Sequence, residues 1–278
     1  MWRSWRDQLS AAGVATATLD AKLLVGHGLG RTTLQMATGE GDVVSPDAAE
    51  RIAELMARRV SGESVARIIG EREFYGLAFG LNAATLEPRS DTELLVDLAL
   101  DALPMGGQLL DLGTGTGCIP IAILANRANA TGVAVDLSAL ALEMARANSE
   151  RHELADRLAF REGSWFAALS EDADRRFDLI VSNPPYIVSA VVDELEPEVK
   201  DFDPRLALDG GPDGLAPYRV IAREAAAWLK PGGTVLVEIG YYQGAAVLAL
   251  FTEHGFSEVS LFQDLNGLDR VVRAHHIG

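Results

Sequence analysis

The sequence predicts a doubly wound α/β fold with a mostly parallel sheet, preceded by a small helical domain. From about residue 87 onward, short apolar runs alternate with segments of helical periodicity, which is the pattern of consecutive βαβ units. A glycine-rich turn joins one apolar run to the helical segment that follows it, as at the ligand-binding edge of such sheets. The last two apolar runs flank Asp264-Leu265-Asn266-Gly267, which predicts an antiparallel strand at the C-terminal end.

The helical domain is predicted over residues 1–73. Asp20 is a candidate cap for a helical segment near the start of this region. A second helix is expected to begin at Ser45-Pro46, with Ser45 as N-cap and Pro46 at the first helical position. No catalytic constellation is evident in this part of the sequence, so we expect the chemistry to lie farther along the chain.

A β-hairpin linker is predicted over residues 74–86, where apolar residues alternate and turn residues intervene, and a second domain over residues 87–278. In the second domain, apolar runs predict buried strands and the periodic segments between them predict helices. The predicted strands are 107–112, 131–135, 177–182, 234–239, 259–262 and 270–274, and the predicted helices are 117–129, 139–151 and 217–229.

The amino-acid composition limits which partners the protein can bind and in which cellular compartment it can function. The 24 basic and 40 acidic residues give a net charge of −16, which argues against a protein that wraps a nucleic-acid backbone. The single cysteine, Cys118, excludes an internal disulfide and fits a reducing compartment. No apolar run approaches the roughly 20 residues of a membrane helix, and no cluster has the spacing of a metal site. The sequence therefore predicts a cytoplasmic protein without a membrane partner or a bound metal.

The glycine-rich turn Gly113-Thr114-Gly115-Thr116-Gly117 lies between a predicted strand and a predicted helix. Glycines at this place let the backbone approach a ligand closely and expose N–H groups at a helix N-terminus. The pattern is one residue shorter than the dinucleotide fingerprint. Asp111 precedes the turn, where a carboxylate would repel a pyrophosphate but suit a ligand that carries an ammonium group.

Asp136 ends the next predicted strand. An acidic side chain there suits hydrogen bonding to ribose hydroxyls, although a cap for the helix that starts near Ser138 is a compatible second role. Together with Asp111 and the glycines, Asp136 predicts a site for a nucleoside with a cationic amino-acid tail. S-adenosylmethionine fits that description better than NAD does.

The most specific motif is Asn183-Pro184-Pro185-Tyr186, which directly follows a predicted buried strand. The prolines fix the backbone and remove two N–H donors, so that carbonyl acceptors remain. The Asn183 side-chain oxygen and the Pro184 carbonyl are suited to hold both hydrogens of a planar –NH2 group, while Tyr186 can cover that group with its ring. The alternative is a purely structural proline turn, which the glycine-rich turn upstream disfavours.

These motifs, together with Gly70-Glu71-Arg72-Glu73-Phe74 and Pro88-Arg89-Ser90-Asp91-Thr92-Glu93, resemble those of the release factor glutamine methyltransferases. This family belongs to the Asn-Pro-Pro-Tyr class of S-adenosylmethionine-dependent enzymes. The resemblance implies a Rossmann-like class I methyltransferase fold and methylation of the glutamine in the Gly-Gly-Gln motif of peptide chain release factors. It also implies that the helical domain contributes to substrate recognition.

The resemblance further implies site residues. Residues 113–117, Asp136 and Asn183 would hold the cofactor, with Trp165 lining the adenine pocket; an ordinary core position for Trp165 is the alternative. Asn183, Pro184, Pro185 and Tyr186 would bind the target glutamine, with Asn183, Pro184 and Tyr186 as catalytic residues. Ser164 stands where an acidic residue often precedes the tryptophan, so a side-chain contact from this position to the adenine amino group is not expected.

The Asn-Pro-Pro-Tyr motif by itself leaves other substrates open, because adenine and cytosine present the same –NH2 geometry as an amide. A DNA or RNA amino-methyltransferase is therefore the alternative function. A non-catalytic nucleotide-binding module would have no need of the motif. Residues 193–213 contain eight acids and two bases, a net charge of −6, directly after the motif. Such a segment would repel phosphates and attract a basic protein loop, which favours release factors over nucleic acid.

Overall fold

The computed structural model describes residues 1–38, 43–172 and 174–278. These residues form two compact units, Met1–Glu71 and Arg72–Gly278. The first unit contains the helices α1 (Trp2–Ala11), α2 (Ala17–Leu29), α3 (Thr33–Thr38), α4 (Pro46–Val60) and α5 (Val65–Ile69). Their apolar faces meet in a separate core that includes Leu9, Leu24, Val25, Ile52, Met56 and Ile68. The finer division at residues 73 and 86 stays a prediction.

The start of α4 confirms the sequence-based prediction. Pro46 is its first residue, and the Ser45 hydroxyl accepts a hydrogen bond from the Ala48 amide at 3.3 Å. The prediction that Asp20 caps a helix is wrong. Asp20 lies inside α2, where it is buried and forms an ion pair of 2.7 Å with Arg59 of α4. This carboxylate in the first turn of α2 pairs with the cation of the neighbouring helix and also accepts a hydrogen bond from the hydroxyl of Thr16, the N-cap residue, at 2.9 Å.

The chain then forms the short hairpin β1 (Glu71–Phe74) and β2 (Leu77–Gly80), which begins three residues before the predicted region of 74–86 and ends inside it. The elements that follow alternate between helices and strands. They are α6 (Glu93–Ala102), β3 (Gln108–Leu112), α7 (Cys118–Asn126), β4 (Thr131–Asp136), α8 (Ala139–Arg151), β5 (Leu158–Glu162), β6 (Phe177–Ser182), α9 (Ser189–Val192), α10 (Pro197–Lys200), α11 (Ala216–Glu224), β7 (Leu229–Glu238), α12 (Gly244–Glu253), β8 (Ser257–Gln263) and β9 (Asp269–His275).

Within the described residues, seven strands form one sheet in the order β5-β4-β3-β6-β7-β9-β8. Strands β3 to β7 are parallel, while β9 runs antiparallel to both β7 and β8. This arrangement confirms the predicted doubly wound sheet with its antiparallel C-terminal strand. The chain proceeds outward from β3 to β5 and then returns to place β6 on the other side of β3. The carboxyl ends of β3 and β6 therefore form the topological switch point, where such sheets bind ligands.

Apolar side chains cover both faces of this sheet, because successive residues of a strand point to opposite sides. Leu109 and Leu179 belong to one buried cluster, whereas Leu110 and Ile180 belong to the other. Helix α7 is nine residues long and almost wholly buried. Among the described residues, no helix combines the length and apolar character needed to cross a bilayer.

Candidate active site

A cavity of about 430 Å³ lies at the carboxyl-terminal edge of the parallel strands. Its volume is in the range of small-molecule sites. The wall combines the turn after β3, the end of β4, the segment after β5 and the residues after β6, together with parts of residues 84–92 and 206–220. Of the predicted site residues, those that line the cavity are Gly113, Thr114, Gly115, Thr116, Asp136, Trp165, Asn183 and Pro185. The remaining ones, Asp111, Gly117, Pro184 and Tyr186, are close in sequence to lining residues but do not line the cavity themselves.

The glycine-rich turn provides an open cradle in the cavity wall. Gly113 and Gly115 have φ values of +77° and +55°, and a Cβ placed on either would meet no heavy atom of the described chain within 4 Å. The space beside both backbones is therefore available to a ligand. Gly117 differs, because its Cβ would lie 3.0 Å from Ile121 and 3.2 Å from Ala145. A glycine is required at position 117 because φ is +80° and because a side chain would collide with the packing of α7.

Asp136 connects the end of β4 to the glycine-rich turn. One carboxylate oxygen accepts the Gly115 amide at 2.8 Å, and the other accepts the Ser138 amide at 2.9 Å. Burial raises the pKa of this carboxyl above its ordinary value, and these backbone donors offset part of the increase. Asp136 lines the cavity and accepts the amide of Ser138, which is the N-cap residue of α8; its contact with a ribose stays a prediction.

Asp111 lies in the interior, at the end of β3. Its side chain is fully buried, and among the described residues neither carboxylate oxygen has a hydrogen-bond partner of normal geometry. Burial raises its pKa to about 7; the nearby Thr114 hydroxyl lowers it and the Asp136 charge raises it further. A buried carboxylate without a donor is costly, so this position calls for a cationic or hydrogen-bonding ligand.

The proline motif follows β6 directly. The Ser182 hydroxyl donates to the Leu112 carbonyl at 2.6 Å, which ties the end of β6 to β3. The Asn183 side-chain nitrogen donates to the Thr92 hydroxyl at 3.2 Å, and Asn183 lines the cavity. Pro184 is buried, while the Tyr186 ring packs against the apolar cluster on one face of the sheet. Burial raises the pKa of the Tyr186 hydroxyl to about 12, so it is neutral at physiological pH.

Comparison with known proteins identifies the family. Residues 1–70 match the PrmC N-terminal domain, and residues 89–195 match the methyltransferase small domain. A release factor glutamine methyltransferase from Agrobacterium fabrum is 46% identical over 273 residues, which is 96% of this chain and 93% of the relative. The enzyme of that name from Caulobacter vibrioides is 43% identical and covers 98% of this chain and 93% of its own. The chain belongs to the release factor glutamine methyltransferase family.

Solved structures agree on the fold of this family member. A methyltransferase from Pyrococcus furiosus aligns with a TM-score of 0.54 at 18% identity, over 80% of this chain and 98% of its own. At that identity the likeness concerns the fold alone. It confirms the class I methyltransferase fold that the sequence predicts.

The residues present fit S-adenosylmethionine, the methyl donor of the family. Asp111 is a buried carboxylate whose oxygens have no hydrogen-bond partner of normal geometry among the described residues, which suits a ligand with cationic groups. Gly113 and Gly115 leave open space beside the backbone. Trp165 lines the cavity and its partly buried side chain also packs against the core cluster; its contact with the adenine stays a prediction.

Gln243 is a buried residue that contacts the proline motif and is not among the predicted site residues. Its side chain is 3% exposed and donates to the carbonyls of Tyr186 at 3.1 Å and Gly214 at 3.0 Å. Its side-chain oxygen accepts the Gly240 amide at 3.0 Å. Gly210 also packs closely here, since a Cβ on it would lie 2.8 Å from the Pro185 carbonyl oxygen. The backbone of the proline motif is therefore clamped from two later segments, and no local sequence pattern indicates either contact.

The acidic segment over residues 193–213 carries less uncompensated charge than its composition suggests. Asp203 is buried and pairs with Arg89 at 2.7 Å, and Asp213 pairs with Arg219. These two arginines lie outside the segment, and counting them changes its net charge from −6 to −4. Within it, Arg205 pairs with Asp193 at 2.7 Å. Some carboxylates of this segment thus hold the cavity wall in place through ion pairs. The segment still carries a negative net charge.

Proposed function

We propose that the chain transfers a methyl group from S-adenosylmethionine to the side-chain amide nitrogen of the glutamine in the Gly-Gly-Gln motif of peptide chain release factors. One observation carries this proposal. Asn183, the first residue of the proline motif, lines the same cavity as the glycine-rich turn and Asp136. A side chain suited to recognising an –NH2 group therefore lines the same cavity as the residues that we assign to a nucleoside. The 40–46% identity to relatives named for this activity supports the choice of a release factor as substrate.

For the cofactor, we assign backbone contacts to residues 113–117, the amino-acid end to Asp111, the ribose hydroxyls to Asp136 and the adenine to Trp165. Asn183 lines the same cavity. When bound, S-adenosylmethionine supplies an electrophilic methyl group on a sulfonium. The support for these roles is the unpartnered Asp111 carboxylate, the open space at Gly113 and the position of Asp136 beside the turn.

For the substrate, we assign the two amide hydrogens to the Asn183 side-chain oxygen and the Pro184 carbonyl. An amide nitrogen is a poor nucleophile because its lone pair is delocalised, so catalysis depends on orientation and on stabilising the positive charge that develops on nitrogen. Two fixed acceptors supply both effects. Pro185 and Tyr186 cover the planar group. No general base is assigned, because the proton is lost readily once the nitrogen has been methylated.

The partner is proposed to be protein rather than nucleic acid. The negative surface over residues 193–213 includes Asp209, which lines the cavity, and it disfavours a phosphate backbone there. The helical domain over residues 1–73 is assigned to substrate recognition, a role that its match to the PrmC N-terminal domain supports.

Labelled-methyl transfer with the full chain tests this function. The acceptors are a release factor, its variant with alanine in place of the Gly-Gly-Gln glutamine, and duplex DNA or RNA. We expect label on the parent release factor alone. Label on the alanine variant would exclude that glutamine as the target, and label on nucleic acid would support the alternative amino-methyltransferase.

A further inference from the structure

The carboxamide of Asn183 is held from behind by a buried hydroxyl. Its nitrogen donates to Thr92 Oγ1 at 3.2 Å, and Thr92 is only 2% exposed. Thr92 ends the short 3-10 turn Ser90–Thr92, directly before α6. A hydroxyl that accepts one hydrogen bond still has a proton of its own to donate. The direction in which Thr92 donates therefore determines which end of the Asn183 carboxamide it can hold.

A buried carboxylate lies close to both Thr92 and Asn183. Glu238 ends β7 and is 1% exposed, and Ser182 pairs with Val237 across the neighbouring strands, so Asn183 and Glu238 leave the sheet side by side. Hydrogen bonds from Thr92 and Asn183 lower the pKa of Glu238, whereas burial has the larger effect and raises it to about 7. Among the described residues, Glu238 Oε2 has no partner of normal hydrogen-bond geometry.

A cation next to Glu238 favours its ionised form. The side chain of Arg270 on β9 is nearly buried and contacts Asp264 at 3.0 Å and Asp91 at 3.2 Å. Its charge lowers the pKa of Glu238, although the Asp91 charge opposes it. An ionised carboxylate can only accept hydrogen bonds. The donors around Glu238 must then all point toward it.

We propose that Thr92 and Glu238 are positioning residues that orient the Asn183 carboxamide, with its nitrogen turned toward them and its oxygen turned toward the cavity. The proposal rests on the proposed function, in which that oxygen accepts a hydrogen of the substrate amide. With Glu238 ionised, Thr92 donates its proton to the carboxylate and accepts from Asn183. A flipped Asn183 would direct its –NH2 at the substrate –NH2, where two donors cannot bond.

Other residue types at positions 92 and 238 would hold the Asn183 carboxamide less specifically than a hydroxyl and a carboxylate do. A glutamine at position 238 would keep the shape but add donors, and these could hold the Asn183 oxygen instead. An apolar residue at position 92 would remove the hydroxyl and leave the Asn183 –NH2 without that acceptor. Either change would permit a carboxamide flip of 180°, which exchanges the donor and the acceptor that Asn183 presents to the cavity without moving the backbone.

The test compares Thr92→Val, Thr92→Ser and Glu238→Gln in the full chain. Thr234→Val is the control, because Thr234 is also buried and bonds His275 at 3.1 Å toward the other end of β7. We expect Thr92→Val and Glu238→Gln to lower kcat for release-factor methylation at least tenfold, with the cofactor Kd changed less than threefold. Thr92→Ser should restore most of the activity, and Thr234→Val should leave kcat unchanged. An unchanged kcat in both Thr92→Val and Glu238→Gln would overturn the proposal. A loss of cofactor affinity as large as the loss of kcat would overturn it as well.

A second readout does not depend on activity. The side-chain –NH2 signals of Asn183 in the 15N-correlated NMR spectrum can be identified by their loss in Asn183→Ala. These signals should shift in Thr92→Val and Glu238→Gln and stay in place in Thr234→Val. Unmoved signals in the first two variants would exclude the hydrogen-bond chain. If the parent protein fails to methylate a release factor, the proposed function fails, yet the spectra still decide whether Thr92 and Glu238 hold Asn183.

Discussion

The carboxylate of Asp136 accepts a hydrogen bond from the backbone amide of Gly115 at 2.8 Å, although 21 residues separate them in the chain. This bond connects the end of β4 to the turn after β3. It fixes the position of a turn whose glycines have no side chains with which to pack. The same carboxylate faces the cavity, so the group that we assign to the ribose also shapes the cradle beside it.

Replacing Asp136 with Asn should weaken cofactor binding about ten- to a hundredfold, because a hydrogen bond to a charged group contributes roughly 1.5–3 kcal/mol. Calorimetric titration with S-adenosylmethionine measures the effect. Asp178→Asn is the matched control. Asp178 accepts the Gln108 amide at 2.7 Å and pairs with Lys230 at the amino end of β6, away from the cavity. Equal losses of affinity in the two variants would contradict the assignment of Asp136.

Replacing Gly113 with Ala should reduce cofactor affinity at least tenfold, because the new methyl group would occupy the open space assigned to the ligand. The positive φ also costs about 1 kcal/mol of stability. Gly255→Ala separates the two effects, since Gly255 has a φ of +83° and open space around it but does not line the cavity. Both variants should lose similar thermal stability, and only Gly113→Ala should lose affinity. Unchanged cofactor affinity in Gly113→Ala would contradict the assignment of the space beside Gly113 to the cofactor.

Replacing Asp111 with Asn should stabilise the free protein at high pH while weakening cofactor binding. The pKa of Asp111 is about 7 in the folded chain and 3.8 as an ordinary carboxyl. The folded state therefore retains a proton that the unfolded state has released, and the free energy of unfolding falls as the pH rises from about 4 to 7. The variant should gain on the order of 2–4 kcal/mol at pH 8 and little at pH 4.

Thermal unfolding of the cofactor-free protein between pH 5 and 8 measures this difference. A shallower fall in stability is expected for Asp111→Asn than for the parent chain. Some decrease in stability with rising pH should remain in Asp111→Asn, because burial also raises the pKa of Glu238 to about 7. An identical pH dependence in the two proteins would show that Asp111 is not the titrating group.

Replacing Asn183 with Ala should reduce turnover at least a hundredfold and change the cofactor Kd less than threefold, because its oxygen is assigned to the substrate amide in the transition state. Single-turnover methyl transfer and calorimetric titration separate the two quantities. Asn126→Ala serves as a control, since Asn126 also donates through its side-chain amide, to the Ala122 carbonyl at 2.9 Å, at the exposed end of α7. A variant of Asn183 that retains full turnover would exclude its role.

The sequence predicts the parts of the fold and site that depend on local pattern. Strands β3, β4 and β6 and the second half of β7 consist mostly of buried apolar residues, and the glycine-rich turn and the proline motif each constrain the backbone locally. Strand β5 (Leu158–Glu162) was not predicted, because it pairs on one side only and its sequence Leu-Ala-Phe-Arg-Glu is partly polar. Helix α12 (Gly244–Glu253) also lacks a start signal, since Gln243 makes no side-chain cap bond.

Contacts between distant segments could not be predicted in the same way. The spacing of Arg89 and Glu93 suggests a pair across one helical turn, but Arg89 pairs with Asp203, and Glu93 accepts the Tyr75 amide at 3.0 Å. Thr92 meets Asn183 across 91 residues. Such partners are selected by the sheet order and by the positions at which strands end, and these follow from tertiary packing.

Replacing Gln243 with Leu should damage substrate binding through the proline motif. The buried Gln243 side chain makes three hydrogen bonds that join the backbones of Tyr186, Gly214 and Gly240. Leucine has a similar volume but leaves these groups without partners, so the free energy of unfolding should fall by about 1–3 kcal/mol. With Tyr186 less firmly held, KM for the release factor should rise severalfold while the cofactor Kd stays unchanged. Gln263→Leu, which removes one exposed bond to Asp269, should alter neither constant. A loss of stability in Gln243→Leu without any rise in KM would limit its role to folding.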